Sequence, residues 1–358
     1  MGTDDGVRFG AFVFTSRYEG QSAAEVLARG VATAQAAEDA GFDDVWVTEH
    51  HFVPFGVNPS AITFAGYLLG RTSTVRVGTA VSILPLHSPV HVAEQAALLN
   101  HLSGGRFDLG VGRAQPVVDY EVIGRGVEYW QRGLPEALDL ALAALAGPVS
   151  ADSDLYRFRE VTPAPGPVPG RATPVYLAAN SPTSVELAAR RGLPMLLFYD
   201  KDRDTKAAMI AEHADIARAA GHPDTGYAHA AALFAHVTDD PAEARQVMRR
   251  AAAEFVGSSS QYEVLLDVPQ RVDPDASQEQ VIEGLTDAAM ASHPIGDPQL
   301  CIERLVDQIR GSGCRRVLCQ VEVSGDHDAV LTNVERMGTE VLPEVRRRLA
   351  DEAATVAG

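Results

Sequence analysis

The chain alternates between short apolar runs and longer segments in which apolar residues recur every three or four positions. Short runs rich in branched and aromatic residues predict buried strands, whereas the longer spacing predicts amphipathic helices. The first unit is typical, because residues 7–15 form an apolar, β-rich run and residues 22–40 have helical spacing that ends at Gly41. The same order of strand and helix then recurs along the chain.

Eight such strands are predicted, each with helical partners. The predicted strands span residues 7–15, 44–49, 75–84, 107–112, 174–179, 193–199, 227–237 and 316–323. The predicted helices span residues 22–40, 59–71, 89–102, 133–146, 182–191, 202–220, 241–255, 298–310 and 328–349. Strands that alternate with helices form parallel sheets, so the pattern predicts an α/β fold, a single (β/α)8 TIM barrel in one domain over residues 1–358.

Residues 257–297 interrupt this order with three consecutive serines, Ser258, Ser259 and Ser260, and several prolines. A connection of this length without secondary structure of its own is uncommon in a compact domain. We therefore expect an insertion near the seventh and eighth strands, which lies over the mouth of the barrel as a lid or as a disordered segment.

The charge balance excludes several classes of partner. The chain has 30 basic and 48 acidic side chains, a formal net charge of −18. Binding to nucleic acid or to an anionic membrane surface depends on a dense basic field, which this composition does not supply. No segment approaches the ~20 uninterrupted apolar residues that span a bilayer. We expect neither a nucleic acid nor a membrane as partner.

Two further features favour a cytoplasmic location. The first twenty residues lack the cationic start and small-residue cleavage site of a signal peptide. The chain has three cysteines, Cys301, Cys314 and Cys319, and an odd number this small does not support a disulfide framework. We expect these thiols to be packing residues in a reducing compartment.

The candidate chemistry lies at the carboxyl ends of the strands, where a barrel collects its active site. The richest end follows the second strand and contains Glu49, His50 and His51. Histidine there can exchange protons near neutral pH, although either imidazole could instead pack beneath the loop. A metal site would recruit His87 and His91, but no carboxylate or cysteine recurs at a matching spacing. The pattern therefore favours no metal.

Four separated segments carry a resemblance to a known family. They are GFDDVWVTEHHF, VRVGTAVSILPLHSPVHVAEQAALLNHLSGGRFDLGVGRA, PVYLAANSPTSVELAARRGLPMLL and HPIGDPQLCIERL. In this order they resemble the bacterial luciferase family of flavin-dependent monooxygenases over most of the chain except residues 257–290. The resemblance implies a (β/α)8 barrel with an insertion near the seventh strand, which is the fold that the strand count predicts independently.

The resemblance also implies roles for individual residues. His50 matches the catalytic histidine beside the flavin, expected to act as a general base or acid. Arg113 matches an arginine that pairs with the FMN phosphate, and Arg132 matches a second one if the preceding loop has one inserted residue. Ala80 and Val81 match a non-proline cis peptide beneath the flavin ring. The cofactor-binding residues expected in full are Glu49, Ala80, Val81, Gly112, Arg113, Arg132, Ala179, Asn180, Ser181, Thr183 and Ser184.

The phosphate assignment also has a physical basis that does not depend on kinship. Ser181, Thr183 and Ser184 stand at the predicted start of the helix after the fifth strand. Unpaired N–H groups and the positive end of the helix dipole attract anions there, although Ser181 could simply cap the helix. Two positions depart from the family: Asn180 replaces a carboxylate and Gly112 replaces a reactive cysteine. These changes weaken any link to an aldehyde pocket.

The resemblance therefore implies a two-component monooxygenase. Reduced FMN from a separate NAD(P)H:flavin reductase would react with O2 through a C4a-(hydro)peroxyflavin and oxygenate a small organic substrate. Hydroxylation, epoxidation and Baeyer–Villiger insertion remain open. The segment GVGRA is only a fragment of a dinucleotide fingerprint, so no nicotinamide site is predicted in this chain. The family also implies a homodimer through residues 59–71 and 89–102.

Two alternatives remain at this stage. The same barrel serves enzymes that transfer hydride with deazaflavin F420 and without oxygen. A non-catalytic flavin-binding or partner subunit is the other alternative, since one chain of luciferase is catalytically silent. The presence of His50 and Arg113 argues against such a silent subunit.

Overall fold

The computed structural model describes residues 6–115, 117–123, 126–222, 229–259, 265 and 276–357. Its strands, in chain order, are β1 (Arg8–Val13), β2 (Asp44–Val47), β3 (Arg76–Thr79), β4 (Ser82–Ile83), β5 (Phe107–Gly112), β6 (Val149–Asp152), β7 (Arg157–Val161), β8 (Val175–Ala178), β9 (Met195–Leu197), β10 (Ala230–Phe234), β11 (His236–Val237), β12 (Ile295–Gly296) and β13 (Arg316–Gln320). Its helices are α1 (Ala23–Asp39), α2 (Ala61–Arg71), α3 (Pro89–Ser103), α4 (Asp119–Val122), α5 (Val127–Ala146), α6 (Pro182–Arg190), α7 (Arg203–Ala219), α8 (Pro241–Ser259), α9 (Gln278–Ser292), α10 (Pro298–Ser312), α11 (His327–Arg336) and α12 (Leu342–Ala357).

Eight parallel strands close into a barrel. The ring runs β1, β2, β3, β5, β8, β9, β10 and β13, and β13 pairs back with β1. The short β4 pairs with the end of β5. The ring is closed at this point by the direct pairing of β3 with β5. Helices surround this ring, and the apolar outer faces of the strands pack against them in one large core. The predicted (β/α)8 barrel is confirmed.

Several element boundaries differ from the prediction. The apolar run 75–84 is broken, because β3 ends at Thr79 and a separate β4 is followed by a 3-10 turn, Leu84–Leu86. Helix α5 begins six residues before its predicted start. The hairpin β6–β7 lies in a stretch that the pattern left without structure. Hydrophobic spacing does not register these features, since the run stays apolar throughout the break and the hairpin is largely exposed.

The expected insertion is partly helical. Helix α9 lies within residues 257–297 and packs antiparallel to α8, with Arg245 and Arg249 paired to the carboxylate of Glu283. Leu265 packs against Ile83 and Leu86 on the β4 side of the barrel. The remainder of the expected lid or disordered segment, residues 260–264 and 266–275, lies outside the described residues.

The amino ends of the strands enclose a buried ionic layer inside the barrel. Arg316 of β13 lies 3.4 Å from Asp44 and 3.9 Å from Asp108, and all three side chains are at most 7% exposed. The indole N–H of Trp46 donates to Asp44 at 2.6 Å. Gly10 makes room for this layer, because a Cβ there would lie 2.2 Å from the Asp44 carboxylate. The layer fills the bottom of the barrel and leaves the opposite end for chemistry.

The three thiols are free and buried, and burial raises the pKa of each. They therefore behave as the packing residues that the sequence predicted. Within the part of the chain that the structure describes, no helix combines the length and apolar character needed to cross a bilayer.

Replacing Arg316 should destabilise the barrel strongly. Arg316→Met keeps the apolar stem but leaves Asp44 without its cation, whereas Asp108 keeps its ion pair with Arg76. Breaking a buried ion pair costs about 3–5 kcal/mol. Chemical denaturation should show this loss in the free energy of unfolding. Arg157→Met is the control, because its partner Asp152 is 87% exposed and the pair should contribute less than about 1 kcal/mol. A loss below about 1 kcal/mol for Arg316→Met would contradict a stabilising role for this layer.

Candidate functional site

The carboxyl ends of the barrel strands surround an apolar cavity of about 50 Å³. Strands β1, β8, β9 and β13 contribute its walls, and the β3–β4 connection contributes its rim. Residues that line it include Phe12, Ala80, Val81, Asn180, Phe198 and Leu318. The peptide bond between Ala80 and Val81 is cis, as the family resemblance implies. An apolar cavity wall is thus present at the end of the barrel where active sites form.

His50 lies at this mouth and is held by its neighbours. Its ring packs on Phe14 with centroids 4.7 Å apart, and its backbone N–H donates to the carbonyl of Asn58. Gly56 allows this approach, because a Cβ there would lie 2.4 Å from Nδ1. Nδ1 is buried without a hydrogen-bond partner. Nε2 is therefore the ring nitrogen that a bound molecule can reach.

The environment of His50 keeps its imidazole neutral. Burial lowers the pKa of His50 to about 4, the carboxylate of Glu49 opposes this shift, and His51 adds to it. A neutral imidazole at neutral pH can accept a proton or a hydrogen bond but cannot serve as a ready acid. Of the two predicted roles, the geometry and charge therefore favour the base.

The carboxylate of Glu49 faces the protein and not the mouth. Its Oε1 accepts hydrogen bonds from Nε2 of His87 at 2.7 Å, Nε2 of His51 at 3.3 Å and the N–H of Ile83 at 3.2 Å. Its Oε2 accepts from the N–H of Ala61 at 3.1 Å. Burial alone would raise the pKa of Glu49, but these hydrogen bonds outweigh it and lower the pKa to about 2. Glu49 thus links β2 to β4, α2 and both histidines.

The same three side chains form a possible metal cluster. Among the described residues, Glu49, His51 and His87 offer ligand atoms within 4.8 Å of one another. The metal pair considered from the sequence was His87 with His91, and His91 does not belong to this group. Each atom of the cluster already takes part in a hydrogen bond, so the contacts are explained without an ion.

Arg113 directly follows β5 and is oriented by aromatic residues. Its guanidinium stacks on Trp130 at 4.3 Å from the ring centroid and donates to the Trp130 carbonyl at 3.3 Å. The hydroxyl of Tyr120 donates to the Arg113 carbonyl at 2.6 Å. Sequence reasoning missed Trp130 and Tyr120, and the only available signal was two aromatic residues in a polar loop. No carboxylate partner of Arg113 is found among the described residues, so its charge is available to an anion.

Helix α6 follows β8, the strand paired with β5, so its amino end and Arg113 stand at the carboxyl ends of neighbouring strands. Ser181 caps the helix by accepting from the N–H of Ser184. The Ser184 hydroxyl oxygen in turn accepts from the N–H groups of Asn180 and Ser181, both at 3.0 Å. Thr183 is exposed in the first turn. The predicted helix start and its cap are both present, and the hydroxyls of Ser181 and Ser184 lie 3.0 Å apart at this end of the helix.

The remaining predicted contact residues divide into two groups. Gly112 ends β5 and Ala179 directly follows the neighbouring β8, and a Cβ at Gly112 would lie 3.0 Å from Val81. The carboxamide Oδ1 of Asn180 is buried without a partner. Arg132, by contrast, is 52% exposed and pairs with Glu128 one helical turn earlier. Of the other predicted residues, Glu49 is enclosed by protein groups and Arg132 is engaged elsewhere on α5, while the rest stand at the carboxyl ends of the strands around the mouth.

Comparison with known proteins agrees with this geometry. The family model for luciferase-like monooxygenases matches residues 7–316. The alkanal monooxygenase alpha chain of the Kryptophanaron alfredi symbiont is 28% identical over 354 residues, which cover 96% of this chain and 99% of that protein.

Two solved structures share the fold. Monooxygenase RslO1 from Streptomyces bottropensis superposes with a TM-score of 0.81 at 22% identity, covering 94% of this chain and 99% of that one. An F420-dependent secondary alcohol dehydrogenase gives a TM-score of 0.76 at 20% identity, covering 95% and 99%. The family match extends over the strands that carry His50, Arg113 and Ser181. The chain therefore belongs to the luciferase-like monooxygenases and is a flavin-dependent monooxygenase.

Proposed function

We propose that this enzyme binds reduced FMN at the barrel mouth and uses O2 to oxygenate a small organic substrate. The observation that carries the proposal is the adjacency of an anion site and an apolar platform. Arg113 and the amino end of α6 stand on neighbouring strands, and Ala80 and Val81 form the rim next to them. FMN matches these two parts of the site, since it joins a charged phosphate to a flat ring system.

The side chains present fit this cofactor. Arginine and helix N–H groups are the preferred partners of a phosphate. Gly112 keeps the approach to Val81 free of a side chain. The unpartnered Asn180 Oδ1 at the cavity wall offers an acceptor to the polar edge of a bound ring. Arg132 would become a second phosphate ligand only after its guanidinium leaves Glu128.

Bound reduced FMN supplies the electrons that activate O2. The chain supplies the surroundings, in which Arg113 and the helix end hold the phosphate and the apolar walls exclude water. Excluding water limits the breakdown of reactive intermediates and strengthens the local electrostatics. His50, neutral and reachable at Nε2, accepts a proton from the reacting groups. Glu49 does not act on the reacting groups directly. Its carboxylate holds in place the segment that carries Ala80 and Val81.

The reducing equivalents arrive as reduced FMN from a separate NAD(P)H:flavin reductase. The segment GVGRA is too short for a dinucleotide fingerprint, and both of its glycines belong to β5, which ends at Gly112 before Arg113. Which bond is oxygenated, by hydroxylation, epoxidation or Baeyer–Villiger insertion, depends on how the substrate lies above the cavity.

Hydride transfer with F420 is the second candidate. Its support is the likeness of this fold to the F420-dependent dehydrogenase, which shares the barrel alone at 20% identity. The buried, neutral His50 and the family membership favour oxygen chemistry with FMN instead.

The enzyme is also proposed to form a homodimer through α2 and α3. Tyr67 on α2 is 54% exposed, and Leu98 and Leu102 on one face of α3 are 44% and 76% exposed. Large apolar side chains grouped on two packed helices are typical of an interaction surface. The alkanal monooxygenases similar to this chain have alpha and beta chains, which supports an association between subunits.

Removing the Arg113 guanidinium should weaken reduced FMN binding. A charge-assisted hydrogen bond contributes about 1.5–3 kcal/mol, so Arg113→Ala should raise the Kd about 10- to 100-fold in anaerobic titration calorimetry. Arg190→Ala at the opposite end of α6 is the control, because Arg190 pairs with Glu186 on the surface. Equal affinity in Arg113→Ala and the parent would exclude the phosphate assignment.

The His50 imidazole should remain neutral well below neutral pH. Because burial dominates its surroundings, its 15N resonances should titrate with a midpoint near 4, and the signals are assigned by their loss in His50→Gln. A midpoint at or above the ordinary value of about 6.5 would show that the site favours the charged form. That result would make His50 an acid and remove the base assignment.

Charging the proposed dimer surface should separate the subunits. Leu102→Glu places a carboxylate in the middle of an apolar contact, so sedimentation equilibrium should change from dimer to monomer. Leu285→Glu on α9 is the matched control, because Leu285 is 40% exposed outside this surface. A parent protein that sediments as a monomer, or a Leu102→Glu variant that stays dimeric, would refute the assignment.

A further inference from the structure

A buried glutamine, Gln320, lies on β13 two residues after Leu318, which lines the mouth cavity. Gln320 is 4% exposed, and its Oε1 is buried without a hydrogen-bond partner. Its neighbours in register are Phe12 on β1 and Phe234 on β10. Buried polar groups normally have a hydrogen-bond partner, so the unpartnered Oε1 between two phenylalanine strand neighbours requires an explanation.

The alternation along β13 directs this side chain into the barrel. Arg316 belongs to the ionic layer inside the barrel, and Leu318 lines the mouth cavity. Side chains two residues apart share one face of a strand, so Gln320 follows Leu318 on the inner face and lies one level closer to the opening. The phenyl ring of Phe12, beside it in register, lines the same cavity.

The strand order places Gln320 away from the proposed phosphate site. In the ring of eight strands, β13 lies four strands from β5 in both directions. Arg113 follows β5 directly, so Gln320 is on the opposite wall of the mouth. If the cofactor phosphate binds at Arg113, the wall that carries Gln320 is open to the organic substrate.

The walls near Gln320 are aromatic. Phe14 packs on Phe12 with centroids 5.9 Å apart, and Phe198 packs against the same internal cluster. Phenyl rings pack favourably with other rings in offset or edge arrangements. None of the side chains that line the cavity carries a charge. This part of the mouth therefore suits a neutral, ring-containing molecule.

We propose that Gln320 determines substrate specificity by binding a hydroxyl or carbonyl group on a neutral, ring-containing substrate. A carboxamide offers both a donor and an acceptor, so it can pair with either group. The proposal deepens the proposed function and rests on it, since it takes the Arg113 side of the mouth to be the cofactor's. Gln320 positions the substrate and takes no part in the chemistry.

Ligand binding tests the proposal without turnover. Naphthol and naphthalene, which differ by one hydroxyl, are titrated by calorimetry into parent enzyme, with and without saturating FMN. The parent should bind naphthol about tenfold more tightly than naphthalene, the usual effect of one added hydrogen bond. Gln320→Met should abolish this preference and keep the affinity for naphthalene. Gln320→Asn, whose side chain is one methylene shorter, should lose part of the preference for naphthol.

Two controls separate this proposal from the proposed function. Gln299→Met changes an exposed glutamine on α10 and should keep the preference for naphthol. The affinity of Gln320→Met for reduced FMN should equal that of the parent, whereas Arg113→Ala should lose it. The proposal is overturned if the parent and Gln320→Met show the same ratio of naphthol affinity to naphthalene affinity. It is equally overturned if FMN displaces naphthol, or if decanal binds more tightly than naphthol. It is also overturned if Gln320→Met loses FMN affinity, because Gln320 would then contact the cofactor.

Discussion

The buried carboxylate of Glu49 is the interaction on which the mouth of this barrel depends. Burying a charge is costly unless hydrogen bonds replace the lost water, and Glu49 receives four of them. These donors come from β4, the start of α2 and two histidine side chains. The carboxylate therefore joins the end of β2 to the segment that carries the cis peptide. Removing it would release several elements at once, not a single contact.

The same constraint explains the direction of His50. Consecutive residues in extended chain point to opposite sides, so a Glu49 carboxylate enclosed in the protein places the next side chain at the mouth. Gly56 and Phe14 then enclose the ring and leave one nitrogen reachable. The result is an imidazole kept neutral by burial beside a carboxylate that stays charged. Two adjacent titratable residues thus have opposite protonation behaviour because their surroundings differ.

The barrel separates stability from chemistry along its axis. The ionic layer of Arg316, Asp44 and Asp108 fills one end, while apolar and neutral polar side chains surround the other. This division is usual for the fold, in which strand carboxyl ends hold the site and the opposite end holds the structure. It also allows Gln320 and Arg316 to lie on the same face of one strand with different roles.

Hydrophobic spacing predicted the barrel because each strand and helix must bury one face, and that requirement is written into the sequence locally. The break between Thr79 and Ser82 escaped prediction because the run is apolar on both sides of it. Side-chain partners were harder to foresee. The stack of Trp130 on Arg113 depends on how the chain after β5 returns to begin α5, which spacing does not encode. The pairing of Arg132 with Glu128, four residues apart on α5, also escaped prediction, because the predicted helix began at residue 133, after both residues.

The central claim is that the mouth of this barrel binds reduced FMN. Anaerobic titration calorimetry of the purified enzyme with reduced FMN and with reduced F420 tests it most directly. The account predicts saturable one-to-one binding of reduced FMN and no measurable binding of reduced F420. Tight binding of F420 with no binding of FMN would contradict it.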